Sequence, residues 1–212
     1  MDFFIILITY GILFIGELGD KTQLIVFNLA LEYDKFYKVG IGATIGFALI
    51  VTIGVFFGAI ITELIPLFLI SIASGVVFII IGLFETLSLK ELYLTRKSKV
   101  LVEIKTESNE NSEEIAKSKF TRLKKNPYLA GFGFIFLMEL GDKTQILTIS
   151  LASLYGLPIE VWIGSFLALI TVAWMGILIG AAIARKVPKF YLKLISVLIF
   201  IIVGIIVIIN SF

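Results

Sequence analysis

The chain has 212 residues, a formal net charge of +2 and 59% hydrophobic residues, and its mean hydropathy of +1.07 lies far above what a soluble domain carries on its surface. It contains neither cysteine nor histidine, which excludes disulfides, thiolate or imidazole metal sites and histidine proton relays. Acid–base work falls to carboxylates, and neither a resident cofactor nor a nucleic-acid partner is expected.

In chain order, apolar runs cover Phe3–Gly16, Val39–Ile61, Leu67–Leu87, Tyr128–Met138, Val161–Ala184 and Tyr191–Ile209. Most reach or approach the roughly 20 residues that cross a hydrocarbon core. The two shorter runs continue past a polar motif, and reading through it gives spans near Phe3–Leu31 and Pro127–Leu154. The expected fold is therefore an all-α integral membrane protein with six transmembrane helices. The N-terminus lacks a basic n-region, so the first span is expected to remain in the mature protein.

Sixteen of the eighteen Lys and Arg residues fall at Lys35 and Lys38, between Lys90 and Lys125, or at Arg185, Lys186, Lys189 and Lys193. All three regions lie on one side of a six-span arrangement. That side is expected to be cytoplasmic, with both termini outside.

An offset of 122 residues superimposes Glu17–Gln23 on Glu139–Gln145 without a gap, both reading Glu-Leu-Gly-Asp-Lys-Thr-Gln. The match extends through Gly11 and Gly133, Gly42 and Gly164, Gly54 and Gly176, Pro66 and Pro188, Ser74 and Ser196, and Gly82 and Gly204. Each copy holds three spans, so the second enters the bilayer from the opposite side. The expected organisation is two inverted three-helix repeats, residues 1–88 and 127–212, joined by a charged cytoplasmic linker at 89–126. The linker carries ten Lys or Arg and six Glu and reads as a solvated tether, with Arg122, Lys124 and Lys125 as candidates for anionic-lipid contact.

Each motif lies near the middle of its span, where a charged side chain costs roughly 2.5 to 3.5 kcal/mol on insertion scales. On a continuous helix Glu17 and Asp20 would share a face, as would Glu139 and Asp142, and four carboxylates would converge. Hard oxygen ligands of this kind suit Ca²⁺, Mg²⁺ and Mn²⁺, and Thr22, Gln23, Thr144 and Gln145 add neutral oxygens. Backbone carbonyls add more if the helix loosens at Gly19 and Gly141. Lys21 and Lys143 bring the formal charge of the two motifs to −2, which one divalent cation neutralises. The same residues also allow a purely structural cluster in which Asp20 pairs with Lys143 and Asp142 with Lys21. Glu85, with Val207 at the equivalent position, reads as an interfacial carboxylate or an ion-path residue.

A duplicated Glu-x-Gly-Asp-Lys-Thr in two three-helix halves, Glu17–Thr22 and Glu139–Thr144, resembles the Golgi-type calcium/manganese:proton antiporter family. The resemblance covers nearly the whole chain outside the linker. It implies a secondary transporter that moves Mn²⁺ or Ca²⁺ out of the cytosol against protons, with the motif acids as the ion site. Without the leader of eukaryotic members, the chain resembles a compact prokaryotic version in the plasma membrane; a homodimer is compatible with the sequence. Two other readings stand beside the carrier. In a membrane-embedded aspartyl hydrolase Asp20 and Asp142 would form the dyad, although Glu17 and Glu139 replace the first glycine of Gly-x-Gly-Asp. A cation channel would place the lysines in its path.

Overall fold

The computed structural model describes residues 1–18, 20–31, 33, 35–99, 126–186 and 189–211, without the side chains of residues 21, 24, 25, 28, 31, 87–99, 179–186 and 189–193. Arg122, Lys124 and Lys125 of the linker lie outside the described residues. The described chain is helical: α1 Phe3–Glu17, α2 Lys21–Leu31, α3 Phe36–Leu64, α4 Leu67–Lys99, α5 Pro127–Glu139, α6 Lys143–Tyr155, α7 Pro158–Lys186 and α8 Lys189–Ile209.

Local chemistry sets these boundaries. Asp2 caps α1 by accepting from the Phe4 amide at 3.0 Å, and Asn126 caps α5 through the Tyr128 amide at 3.0 Å, with Pro127 in the first turn. Ile65 is extended (φ −122°, ψ 137°), as the residue before a proline prefers, and α3 stops there. Gly156 ends α6 in the left-handed region at φ +61°.

The offset of 122 residues survives in three dimensions. It carries the first residues of α2, α3 and α4 onto those of α6, α7 and α8, and the last residue of α1 onto that of α5. The two halves interleave: α3 packs on α5 and α6, while α7 packs on α1 and α2. The contacts repeat as well. A Cβ on Gly42 would run into the Tyr128 carbonyl, and one on its equivalent Gly164 would stand 2.6 Å from the carbonyl of Ile6, the equivalent of Tyr128. Such close backbone approach is the small-residue packing that membrane helices use in place of a hydrophobic drive.

Two pairs of equivalent helices also meet each other, α3 with α7 and α4 with α8, and they run antiparallel. On α4 and α8, a Cβ on Gly75 would meet Ile208 at 2.5 Å and one on Gly82 would meet Ile201 at 2.8 Å. On α3 and α7, Thr44 accepts from Trp174 Nε1 at 3.2 Å and Thr52 from Trp162 Nε1 at 2.9 Å. Phe78 and its equivalent Phe200, both fully buried, face each other with ring centroids 6.4 Å apart.

The two spans expected to be continuous are broken. In the second copy Leu140 (φ −68°, ψ 110°) and Gly141 (φ +82°) form the centre of a turn closed by the Asp142 amide on the Glu139 carbonyl at 3.2 Å. Those angles define a type II turn, whose third residue needs positive φ and therefore favours glycine. In the first copy Leu18 adopts φ −66°, ψ 118°, and the Asp20 amide reaches the Glu17 carbonyl at 3.1 Å. Each motif thus ends one helix at its glutamate and starts the next at its lysine.

Three helical stretches among the described residues are long and apolar enough to cross a bilayer: Phe36–Leu64, Leu67–Thr86 and Pro158–Leu178. The apolar helices Phe3–Glu17 and Pro127–Glu139, which end at the breaks, are shorter, and Leu194–Ile209 is the part of α8 whose side chains are described. Exposed large apolar side chains such as Phe56, Phe84, Leu178 and Ile202, each more than half exposed, give the outer surface the character of a lipid-facing one.

The interleaved packing predicts a sharp contrast between two glycines. Gly42→Ala should destabilise the protein by about 1–3 kcal/mol, because its Cβ meets backbone that cannot turn away. Gly11→Ala, with nothing within 4 Å, should leave stability unchanged or raise it slightly. Thermal unfolding of the two detergent-solubilised variants reads the difference.

Candidate ion site at the helix breaks

Breaking a helix inside an apolar bundle leaves carbonyls at one end and amides at the other without intrahelical partners. In this chain those ends meet. The last turn of α1 offers its carbonyls to the other half: Ser196 of α8 donates to Ile15 O at 2.7 Å, and the Lys143 ammonium donates to Gly16 O at 2.8 Å. A cation at a helix C-terminus is also favoured by the helix dipole.

Glu17 and Glu139, the final residues of α1 and α5, are 3% and 1% exposed. Thr144, in the first turn of α6, is fully buried and donates to Glu17 Oε1 at 2.8 Å. Glu139 in turn lies against the hydroxyls of Thr144 and Thr22. Each carboxylate is therefore served by a threonine from the opposite half, with Thr144 touching both. Glu139 Oε2 is buried without a hydrogen-bond partner among the described residues. The two glutamates, Thr22 and Gln23 line a cavity of about 10 Å³ whose apolar wall includes Phe47 and its equivalent Leu169. That volume accommodates a single water-sized occupant.

Beside this cavity lies an ion cluster centred on Lys143. Its ammonium stands 2.9 Å from Asp20 Oδ2, 3.1 Å from Glu85 Oε1 and 3.8 Å from Glu17 Oε1. The side chains of Lys143, Asp20 and Glu85 are 15%, 20% and 13% exposed, so the cluster is largely desolvated and its pairs are stronger than surface ones. The cross-half pairing of Asp20 with Lys143 matches the pairing the sequence suggests. The Lys21 side chain lies outside the described residues.

The remaining motif residues sit elsewhere. Asp142 is exposed and caps α6, its Oδ1 accepting from the Lys143 amide at 2.8 Å. Gln145 closes the same turn by accepting from the Gly141 amide at 2.6 Å. Gln23 is buried against Gly176. Glutamate and aspartate of one motif therefore do not share a helix face, because the turn between them takes each aspartate past the helix end. Among the described residues no group of three or more acids is placed to hold a metal ion by itself. What the structure brings together is Glu17, Glu139, Thr22, Thr144 and Gln23, with Asp20 and Lys143 adjoining.

Two further contributors lie outside the motifs. Glu85 is a direct partner of Lys143; the mismatch with Val207 was its signal. Phe47 and Leu169 as cavity walls had no signal beyond their apolar character.

Comparison with known proteins shows the family to which the chain belongs. The profile of a family described as divalent cation/proton antiporter GDT1 matches residues 5–91 and 127–212, the two halves without the linker. The chain is 34% identical over 152 residues to GDT1-like protein sll0615 of Synechocystis sp., covering 68% of this chain and 69% of that protein. It is 24% identical over 227 residues to GDT1-like protein C186.05c of Schizosaccharomyces pombe, covering 92% and 86%. No solved structure matches the chain. The chain belongs to the GDT1 family of divalent cation/proton antiporters and is a membrane transporter rather than an enzyme.

Proposed function

We propose that this protein exports Mn²⁺ or Ca²⁺ from the cytosol in exchange for protons, by alternating access to one site at the middle of the bilayer. The observation that carries this reading is the pair of buried glutamates, Glu17 and Glu139, drawn from opposite halves and joined through Thr144 at one small cavity. Six spans arranged as two inverted repeats, 1–88 and 127–212, supply the frame. The antiparallel contacts between equivalent helices support that relation, because an axis in the membrane plane turns each helix onto an antiparallel copy of itself.

Carboxylate and hydroxyl oxygens form a hard donor set, which favours Ca²⁺ and Mn²⁺. Glu17, Glu139, Thr22, Thr144 and Gln23 are the central ligands. Asp20, Asp142 and Gln145 serve the approach on either side, and Lys21 and Lys143 balance charge. A cavity of about 10 Å³ admits an ion only after most of its hydration shell is lost, which penalises Mg²⁺, whose waters leave reluctantly. Two carboxylates side by side in a desolvated site require a compensating positive charge. A divalent cation supplies it in one half of the cycle and protons on the same oxygens supply it in the other, which makes the exchange obligatory. The positive-inside tendency puts the Asp20 side of the site toward the cytoplasm and both termini outside, in the plasma membrane of a prokaryote.

Uptake of Mn²⁺, Ca²⁺ and Mg²⁺ into proteoliposomes with an imposed pH gradient tests the reading. Mn²⁺ and Ca²⁺ flux should rise with the gradient, with Mg²⁺ far slower. Glu17→Gln and Glu139→Gln should each lower flux by roughly a hundredfold or more, because one partner of a buried charge site is lost. Absence of any divalent flux in the parent protein would end the proposal. Thr144→Val should raise KM roughly tenfold, in line with about 1.5 kcal/mol for a hydrogen bond to a charged group, whereas Thr144→Ser should stay near the parent.

A further inference from the structure

The two motifs are identical, yet their surroundings are not. Lys143 is held by Asp20, Glu85, Glu17 and the Gly16 carbonyl, so its ammonium draws together α1, α4 and α6. Carried across by the offset of 122 residues, the same arrangement would give Lys21 the Asp142 and Glu139 carboxylates and the Met138 carbonyl. In place of Glu85 it would find Val207. The carboxylate that Lys143 meets at position 85 thus has no counterpart in the sequence at position 207.

The exposure of the two turns follows the same asymmetry. Leu140, Gly141 and Asp142 are exposed, Leu140 at 48%, while the equivalent Leu18 and Asp20 are half-buried. The side on which Lys143 is clamped is the covered side.

From this geometry we infer that Glu85 is a positioning residue that sets the resting orientation of the empty carrier, holding it shut on the Asp20 side and open on the Asp142 side. This rests on the alternating-access reading. In such a cycle the two halves exchange environments, and identical halves would give two empty states of nearly equal free energy. A charged partner present in only one of them tips the balance. A cation arriving on the Asp20 side then meets a small open population, and its apparent affinity falls by that fraction. On the Asp142 side the open state is already populated.

The test measures KM for Mn²⁺ from each face separately, in vesicles of defined orientation. Glu85→Gln should lower KM on the Asp20 side roughly three- to tenfold and leave it unchanged or slightly higher on the Asp142 side. Moving the acid, in the double variant Glu85→Val with Val207→Glu, should reverse the ratio of the two KM values. Equal shifts on both faces would make Glu85 a ligand, and unmoved KM values with a lowered melting temperature would make it structural; either result overturns the inference. Absence of Mn²⁺ flux in the parent removes the transport reading and this inference with it. A transport-free readout is available because the chain has no cysteine. Leu140→Cys should react with a membrane-impermeant thiol reagent faster than Leu18→Cys, and Glu85→Gln should narrow that difference. An unchanged rate ratio would overturn the inference even where the double variant does not fold.

Discussion

A carboxylate buried in an apolar helical bundle is expensive, and this chain holds two of them, Glu17 and Glu139, almost wholly removed from solvent. Much of the surrounding architecture can be read as a response to that requirement. A continuous helix would leave each glutamate only its own side-chain oxygens to offer and would keep the backbone polar groups locked in the helix. Ending the helix at the glutamate releases carbonyls on one side and a fresh helix N-terminus on the other. The next helix begins with Lys and Thr, so a donor for the partner's carboxylate and a mobile positive charge arrive within two residues of the break.

The same requirement explains why the halves interleave rather than stand side by side. A threonine from one half serves the glutamate of the other, so neither half completes its own site. Long unbroken helices are then needed to hold the broken ones in register. α3 and α7 do this, each laid along the split pair of the opposite half, with glycines at the closest crossings.

Much of this was legible in the residues. The offset of 122 placed the helix boundaries of one half from those of the other, and the motif singled out Glu17, Glu139, Thr22 and Thr144, which the fold brings together. The break itself was legible in principle, since Gly141 occupies the one position where a type II turn favours glycine, but apolar periodicity on both sides of the motif favours a continuous helix. The fate of the aspartates followed from that misreading: three residues apart in a helix is one face, whereas three residues apart across a turn is two directions. Glu85 was visible only as a failure of the repeat. Its distance of 58 residues from Lys143 along the chain hides their contact from any local pattern. With Glu85 added, the formal charge of the two motifs goes from −2 to −3, and the symmetry seen in the motif is lost in the electrostatics.

Interleaving has a consequence for how the protein is made. When α1 to α4 have entered the bilayer, the grooves meant for α1 and α2 do not yet exist, because α7 is still to be synthesised. During that interval Glu17 faces lipid or water without the hydroxyl of Thr144 and without the ammonium of Lys143. The nascent first half thus carries Glu17 without its partners from the second half, and the length of that interval is set by the linker and the fourth apolar segment that precede α7. Substitutions that lengthen this wait would lower the amount of protein reaching the membrane while leaving the activity of each surviving molecule untouched.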